Sequence, residues 1–266
     1  MGLLQGITEF LPISSSGHLV LMKNLLGMHE PDLFFDVMVH VGTLIPIVTV
    51  FREDLGNIFR SLLHLPKTVV QGNLGTILAT NAWVRLIVLI AVAVVPAALV
   101  GFFYKDFFEH LFSSVFAVGI NLILTGTLLL LTKDIGRPRK QIDRVTFLDA
   151  VIIGFSQAAA IAPGISRSGA TISTALFLGV NRELAGRFSF LIFIPAIVGA
   201  VILNFNPPEM YTRPYLYNVA GATITAALTG YCALKLLLRF VQRGRLFVFS
   251  PYCFLLGLGA IASTFI

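Results

Sequence analysis

The chain has 266 residues, 56% of them hydrophobic and only 12% charged, with a mean hydropathy of +0.88. A soluble domain carries about 25% charged residues, so this composition excludes a water-soluble globule, which could not cover its own surface with polar groups. The net charge of +6 then reads as Lys and Arg in the cytoplasmic loops of a membrane protein, rather than as a nucleic-acid-binding face.

In chain order, Met1–Gly27 is apolar but broken by Pro12 and the serine run Ser14–Ser16. Full spans are predicted over Leu33–Phe51, Ala82–Tyr104 and Ser113–Thr132, each near the roughly 20 residues that cross a bilayer as a helix. Val145–Gly179 is again apolar but broken, by Pro163, Gly164 and the run Ser166–Gly169. Three more spans are predicted over Arg182–Phe205, Tyr215–Phe240 and Phe247–Ile266. The arms of the two broken segments are too short to cross alone. Each is expected to form a helix–turn–helix hairpin that enters the membrane and returns, buried in protein or lining a wet cavity. Cys232 and Cys253 lie in apolar stretches and read as buried free thiols. No cleavable signal peptide is expected.

The basic residues orient this map. With both broken segments re-entrant and the Lys133–Arg144 loop inside, 15 Lys and Arg fall on the cytoplasmic side and three (Lys23, Lys105 and Arg213) outside, with Arg167 alone at depth. Making either broken segment a full span would flip everything after it and collapse the bias. The predicted fold is an all-α polytopic membrane protein, with six transmembrane helices plus two re-entrant hairpins in a single domain, 1–266.

The halves resemble each other. Gly6-Ile7-Thr8-Glu9 precedes the first turn and Gly154-Phe155-Ser156-Gln157 the second; both then reach Ile-Ser-x-Ser-Gly, at Ile13–Gly17 and Ile165–Gly169. An Ile-Pro follows in the next span, at Pro46 and Pro195. Residues 1–132 (hairpin 1–27 plus three spans) and 145–266 (hairpin 145–179 plus three spans) are expected to be repeats of inverted topology, an arrangement that puts the functional site near the midplane.

Arg167 is the most informative side chain. An Arg in an apolar segment needs a partner or a polar cavity. Beside Ser166, Ser168, Gly169 and Thr171 at a helix start it suits an anion, phosphate above all; a structural pairing with Glu9 is the alternative. Glu9, with Gln5 on the same helix face, could hold a divalent cation (Mg2+ or Ca2+), serve as a general base, or pair with Arg167. Ser14, Ser15 and Ser16 include one helix cap, and one hydroxyl is a candidate nucleophile. His18 is then its base or the acid for the leaving group, unless it is simply packed. Asp36 and His40, at i and i+4, read as a local pair or as support behind the site, and Thr171 and Gln157 likewise. Asn121 and Asn181 read as packing and capping residues.

At these residues the chain resembles the BacA/UppP family of undecaprenyl-diphosphatases. Two long signatures carry the likeness: Gln5-Gly6-Ile7-Thr8-Glu9-Phe10-Leu11-Pro12-Ile13-Ser14-Ser15-Ser16-Gly17-His18 and Pro163-Gly164-Ile165-Ser166-Arg167-Ser168-Gly169-Ala170-Thr171. It extends over essentially the whole chain, less a short stretch expected before Met1. The resemblance implies hydrolysis of undecaprenyl diphosphate to the monophosphate and phosphate at the outer face of the bacterial plasma membrane, recycling the carrier of peptidoglycan synthesis and conferring bacitracin resistance. It implies Gln5 and Glu9 as the metal pair, Ser15 as nucleophile, and His18 and Arg167 as catalytic. Ser14, Ser16, Ser166, Ser168, Gly169 and Thr171 are expected around the phosphates. Gln5 departs from the Glu common at its position, which puts a two-carboxylate metal site in doubt; Ser16 replaces a common Thr and keeps the hydroxyl. Expected partners are the polyprenyl diphosphate and membrane lipids, with no nucleic acid; a homodimer is possible. The rival reading is a carrier or flippase for a polyprenyl phosphate, which would use similar phosphate contacts.

Overall fold

The computed structural model describes residues 1–27, 33–71, 74–204 and 212–265. Thirteen α-helices run through them: α1 (Gly2–Phe10), α2 (Ser15–Leu25), α3 (Leu33–Val50), α4 (Arg52–Gln71), α5 (Leu74–Thr80), α6 (Ala82–Phe103), α7 (Lys105–Phe112), α8 (Val115–Leu131), α9 (Phe147–Ala159), α10 (Arg167–Phe177), α11 (Arg182–Asn204), α12 (Arg213–Gln242) and α13 (Ser250–Ser263). No strand occurs among the described residues; Lys140 and Val180 form a lone bridge. The protein is all-α and polytopic, as the composition predicts.

Both broken segments are helix–turn–helix units, α1–α2 and α9–α10. Leu11, forced out of the helical region by the following Pro12, is extended (φ −61°, ψ 144°) and ends α1. Ser14 and Ser166 then cap α2 and α10. Helices α3, α6, α8, α11, α12 and the segment ending in α13 fall at the positions of the six expected spans; the expected ends Phe205 and Ile266 lie outside the described residues. Four described helical stretches are individually long and apolar enough to cross a membrane: Ala82–Phe103, Val115–Asp134, Arg213–Gln242 and Leu246–Ser263. Helix α3 instead meets α4 at an 83° bend. Side chains such as Phe102, Phe103, Ile202, Leu228 and Leu255 stand exposed, an apolar outer surface suited to lipid.

The connection after α3 is more ordered than the sequence suggests. Helix α4 mixes Arg52, Glu53, Asp54 and Arg60 with Leu55, Ile58, Phe59, Leu62 and Leu63. That mixed composition suits a helix lying along an interface.

Four helix pairs make the frame: α1 along α12, α12 along α3, α9 along α6, and α8 along α13. Missing side chains let the backbones close. Gly6 abuts Ala226, Gly154 abuts Ala93 and Pro96, and Gly119 abuts Gly257 so closely that a methyl on either would strike the other's carbonyl. Helix α11 fills the middle, with Phe188, Phe190, Leu191 and Ile192 buried beside Phe10, Ile47, Leu89, Ile153, Ile172 and Leu234.

The 133–144 loop is fastened beneath the second hairpin. Arg85 Nε and Nη2 donate to the carbonyls of Ile142 and Val145 at 2.9 and 2.8 Å. Thr146 and Asp149 form a capping box at the start of α9, and Lys140 Nζ lies 2.9 Å from Asp149 Oδ2. Burial works to raise the Asp149 carboxyl; the Thr146 N–H and the Lys140 ammonium outweigh it and hold it below the usual carboxylate range. A lowered folded value contributes stability above the unfolded value, about pH 4, that is lost as the pH falls through the folded one. Asp149→Asn is therefore expected to lower the unfolding temperature at pH 7 by a few degrees, the scale of about 1 kcal/mol. In thermal denaturation scans against pH, that gap should close below about pH 4.

Candidate active site

The two turns meet. Ser14 is the only described non-glycine residue with positive φ (67°), a strained backbone that persists only when its surroundings fix it. Its Oγ accepts from Gly17 N–H at 3.2 Å and from Gly164 N–H, in the other turn, at 3.1 Å. Ser166 repeats the pattern, accepting from Gly169 N–H at 3.1 Å. The Ser14 and Ser16 hydroxyls are 3.3 Å apart, as are those of Ser166 and Ser168. Ser168 Oγ also donates to the Phe10 carbonyl at 3.0 Å, so each turn bonds the opposite hairpin. From α8, Asn121 Nδ2 donates to Pro163 O (2.8 Å), Thr125 Oγ1 donates to Gly164 O (2.9 Å), and Ser166 N–H donates to Thr125 Oγ1 (3.0 Å).

Glu9 is the centre of this junction. Its Oε2 accepts from Ser15 Oγ at 2.6 Å and from Gln5 Nε2 at 2.9 Å, and its Oε1 accepts from Arg167 Nη2 at 3.1 Å. The Glu9 and Arg167 side chains are 6% and 11% exposed, so the carboxylate and its neutralising charge are nearly dry. The guanidinium rests on the face of Phe193, with Phe190 at 5.6 Å. Its Nε and Nη1 are buried without a partner, as is Gln5 Oε1. Burial without a bond is costly, and these orphaned groups sit on the residues that the sequence assigns to phosphate and to a cation.

The predicted residues separate into two groups. Glu9, Gln5, Ser15 and Arg167 come together. Ser14 and Ser166 cap helices and knit the turns, with Ser16 and Ser168 beside them and Gly169 in the second cap. Thr171 bonds the Arg167 carbonyl and the Ser189 hydroxyl. His18 is turned away from Ser15: its Nδ1 is 2.7 Å from Ser14 O and its Nε2 is 2.7 Å from Tyr252 Oη. His40 Nε2 approaches Glu9 Oε2 at 3.8 Å, supporting the site from α3, whereas the Asp36 carboxylate binds Lys23 at 2.7 Å instead of pairing with His40. Gln157 is buried with neither amide atom bonded. Asn181 caps α11 as expected, accepting from Glu183 N–H at 2.9 Å.

Sequence reading missed Tyr252, Phe193 and Thr125, and took Asn121 for simple packing. Asn121 and Thr125 did leave a signal, two polar side chains four residues apart on one face of an otherwise apolar helix. Tyr252 left none, since its contact spans 234 residues.

Removing one partner of a buried ion pair strands the other, at about 3–5 kcal/mol. Glu9→Gln is thus expected to lower the unfolding temperature in detergent more than the double variant Glu9→Gln/Arg167→Gln does. Simple addition of the two single losses would show that the pair does not join the hairpins.

The family described as "Bacitracin resistance protein BacA" matches residues 1–259. An "Undecaprenyl-diphosphatase" of Desulforapulum autotrophicum is 42% identical over 100% of this chain and 97% of its own length. Proteins of the same name from Desulfosudis oleivorans and Carboxydothermus hydrogenoformans are 46% and 42% identical over 97% of this chain, and over 94% and 92% of their own lengths. With the match running through both turns and all the spans between them, the chain belongs to the BacA family of membrane proteins.

Proposed function

We propose that the protein hydrolyses undecaprenyl diphosphate to undecaprenyl phosphate and inorganic phosphate, the activity for which its relatives are named. The observation that carries this reading is the Ser15 hydroxyl, 2.6 Å from a carboxylate that is itself paired with Arg167. A serine becomes a nucleophile when an adjacent base can take its proton, and Glu9 Oε2 is that base in this geometry. Arg167 keeps Nη2 on Glu9 and offers Nε and Nη1 to the phosphates, so substrate can bind without breaking the buried pair. Ser15 Oγ attacks the terminal phosphorus as its proton passes to Glu9. The bond to the bridging oxygen breaks and undecaprenyl phosphate leaves. Water then releases phosphate from Ser15.

The donor set also suits a hard divalent cation, Mg2+ or Ca2+. Gln5 Oε1 is a buried oxygen without a partner beside the Glu9 carboxylate, and no cluster of three or more His, Cys, Asp or Glu occurs among the described residues. A cation held by Gln5 and Glu9 would complete its shell with water and phosphate oxygens, and would supply charge neutralisation at the phosphates.

The inverted repeat is supported by the packing. Helix α1 lies along α12 and α9 along α6, each through a glycine at the matching position, Gly6 and Gly154. Helices α3 with α11 and α8 with α13 pair across the same relation. On this reading the chain has six spans and two hairpins in the bacterial plasma membrane, with the site opening to the outer face and the prenyl chain among the spans. A homodimer is compatible with it.

The test is phosphate release from farnesyl or undecaprenyl diphosphate by pure protein in detergent, with and without chelator. Release that needs added Mg2+ or Ca2+ is expected. Ser15→Ala should lose about a thousandfold in kcat, and Arg167→Lys, which lacks the fork, about a hundredfold. No release from folded wild-type protein supplied with cation would instead favour a polyprenyl phosphate carrier.

A further inference from the structure

His18 is 7% exposed, and both its ring nitrogens are occupied. The partner of Nδ1 is the Ser14 carbonyl, which can only accept, so Nδ1 carries the proton. In a neutral ring Nε2 is then a bare acceptor, and Tyr252 O–H is its donor at 2.7 Å. The rings are nearly parallel, 2° apart, with centroids 5.7 Å apart.

The surroundings hold the phenol in place. Ser250 Oγ donates to Gly126 O at 2.7 Å, the Gly119–Gly257 crossing draws α13 against α8, and Cys253 Sγ donates to the Pro12 carbonyl at 3.6 Å. The start of α13 therefore touches the first turn at two consecutive residues. His18 is buried, while Tyr252 is 45% exposed, and no other described hydrogen bond reaches Nε2.

We infer that Tyr252 is a positioning residue for the phosphatase reaction: its hydroxyl holds the His18 ring through Nε2, and the ring's Nδ1–H in turn holds the Ser14 carbonyl, next to Ser15. This rests on the phosphatase reading and adds α13 to the elements that support the site.

Tyr252→Phe removes the hydroxyl and keeps the ring. It is expected to lower kcat about tenfold, the scale of one lost hydrogen bond, with KM changed by less than about twofold. In protein labelled with 15N-histidine, the His18 Nε2 resonance should move from a hydrogen-bonded to an unbonded position. In a His18→Asn background, the same substitution should cost nothing further, because Tyr252 acts only through the imidazole. An unchanged Nε2 resonance, an unchanged kcat, or an equal loss with and without His18 would each overturn the proposal. A wild-type protein that releases no phosphate would sink the phosphatase reading alone, since the His18 resonance still reports whether Tyr252 bonds Nε2.

Discussion

Two opposite charges, Glu9 and Arg167, are buried against each other where the hairpins touch, and the rest of the molecule serves that contact. Neither is tolerable alone in apolar surroundings, and the attraction between them does not by itself repay the loss of water. The difference is made up by hydrogen bonds from Gln5 and Ser15 and by the aromatic faces of Phe190 and Phe193. The interlocked turns keep the charges aligned: Ser14 reaches Gly164, Ser168 reaches Phe10, and α8 holds the second turn through Asn121 and Thr125. On the proposed reading a substrate phosphate would meet a guanidinium whose position is fixed before binding, which is how electrostatic stabilisation is obtained without reorganisation at the moment of reaction.

The two turns share one hydrogen-bond pattern on different backbones, with Ser14 at φ 67° and Ser166 at φ −75°. Each has a Ser cap bonded to the glycine N–H three residues on and a second hydroxyl beside it. Between the cap and that hydroxyl the first turn carries Ser15 and the second Arg167. The shared bonding brings Ser15 and Arg167 to the same Glu9 carboxylate, and the difference between the turns lies in single side chains.

Much of this was legible in the sequence because the relevant physics is local. Scarce charge declares the membrane, Pro12 and Pro163 declare the breaks, and an Arg in an apolar run declares a partner or a ligand. The Glu9–Arg167 pairing could be named as an alternative, though not chosen, since its partners are 158 residues apart. Helices α4 and α7 were missed because amphipathic segments resemble loops to a reading that looks for unbroken apolar runs. Direction was the other loss. His18 sits close enough in sequence to share a site with Ser15, yet the turn of α2 aims its ring toward α13, and nothing short of the packed structure specifies that.

The sequence distance within the ion pair also bears on how the protein is made. Glu9 leaves the ribosome long before Arg167 does, and a lone carboxylate costs at least a few kcal/mol at depth in a bilayer. The first hairpin therefore has no stable seat while the first three spans are inserting. Its partners Gly164, Arg167 and Ser168, and the helix α12 along which α1 packs, are all made later in the chain. A chain halted before residue 167 therefore lacks the charge that neutralises Glu9, and one halted before α12 lacks the helix that α1 packs along.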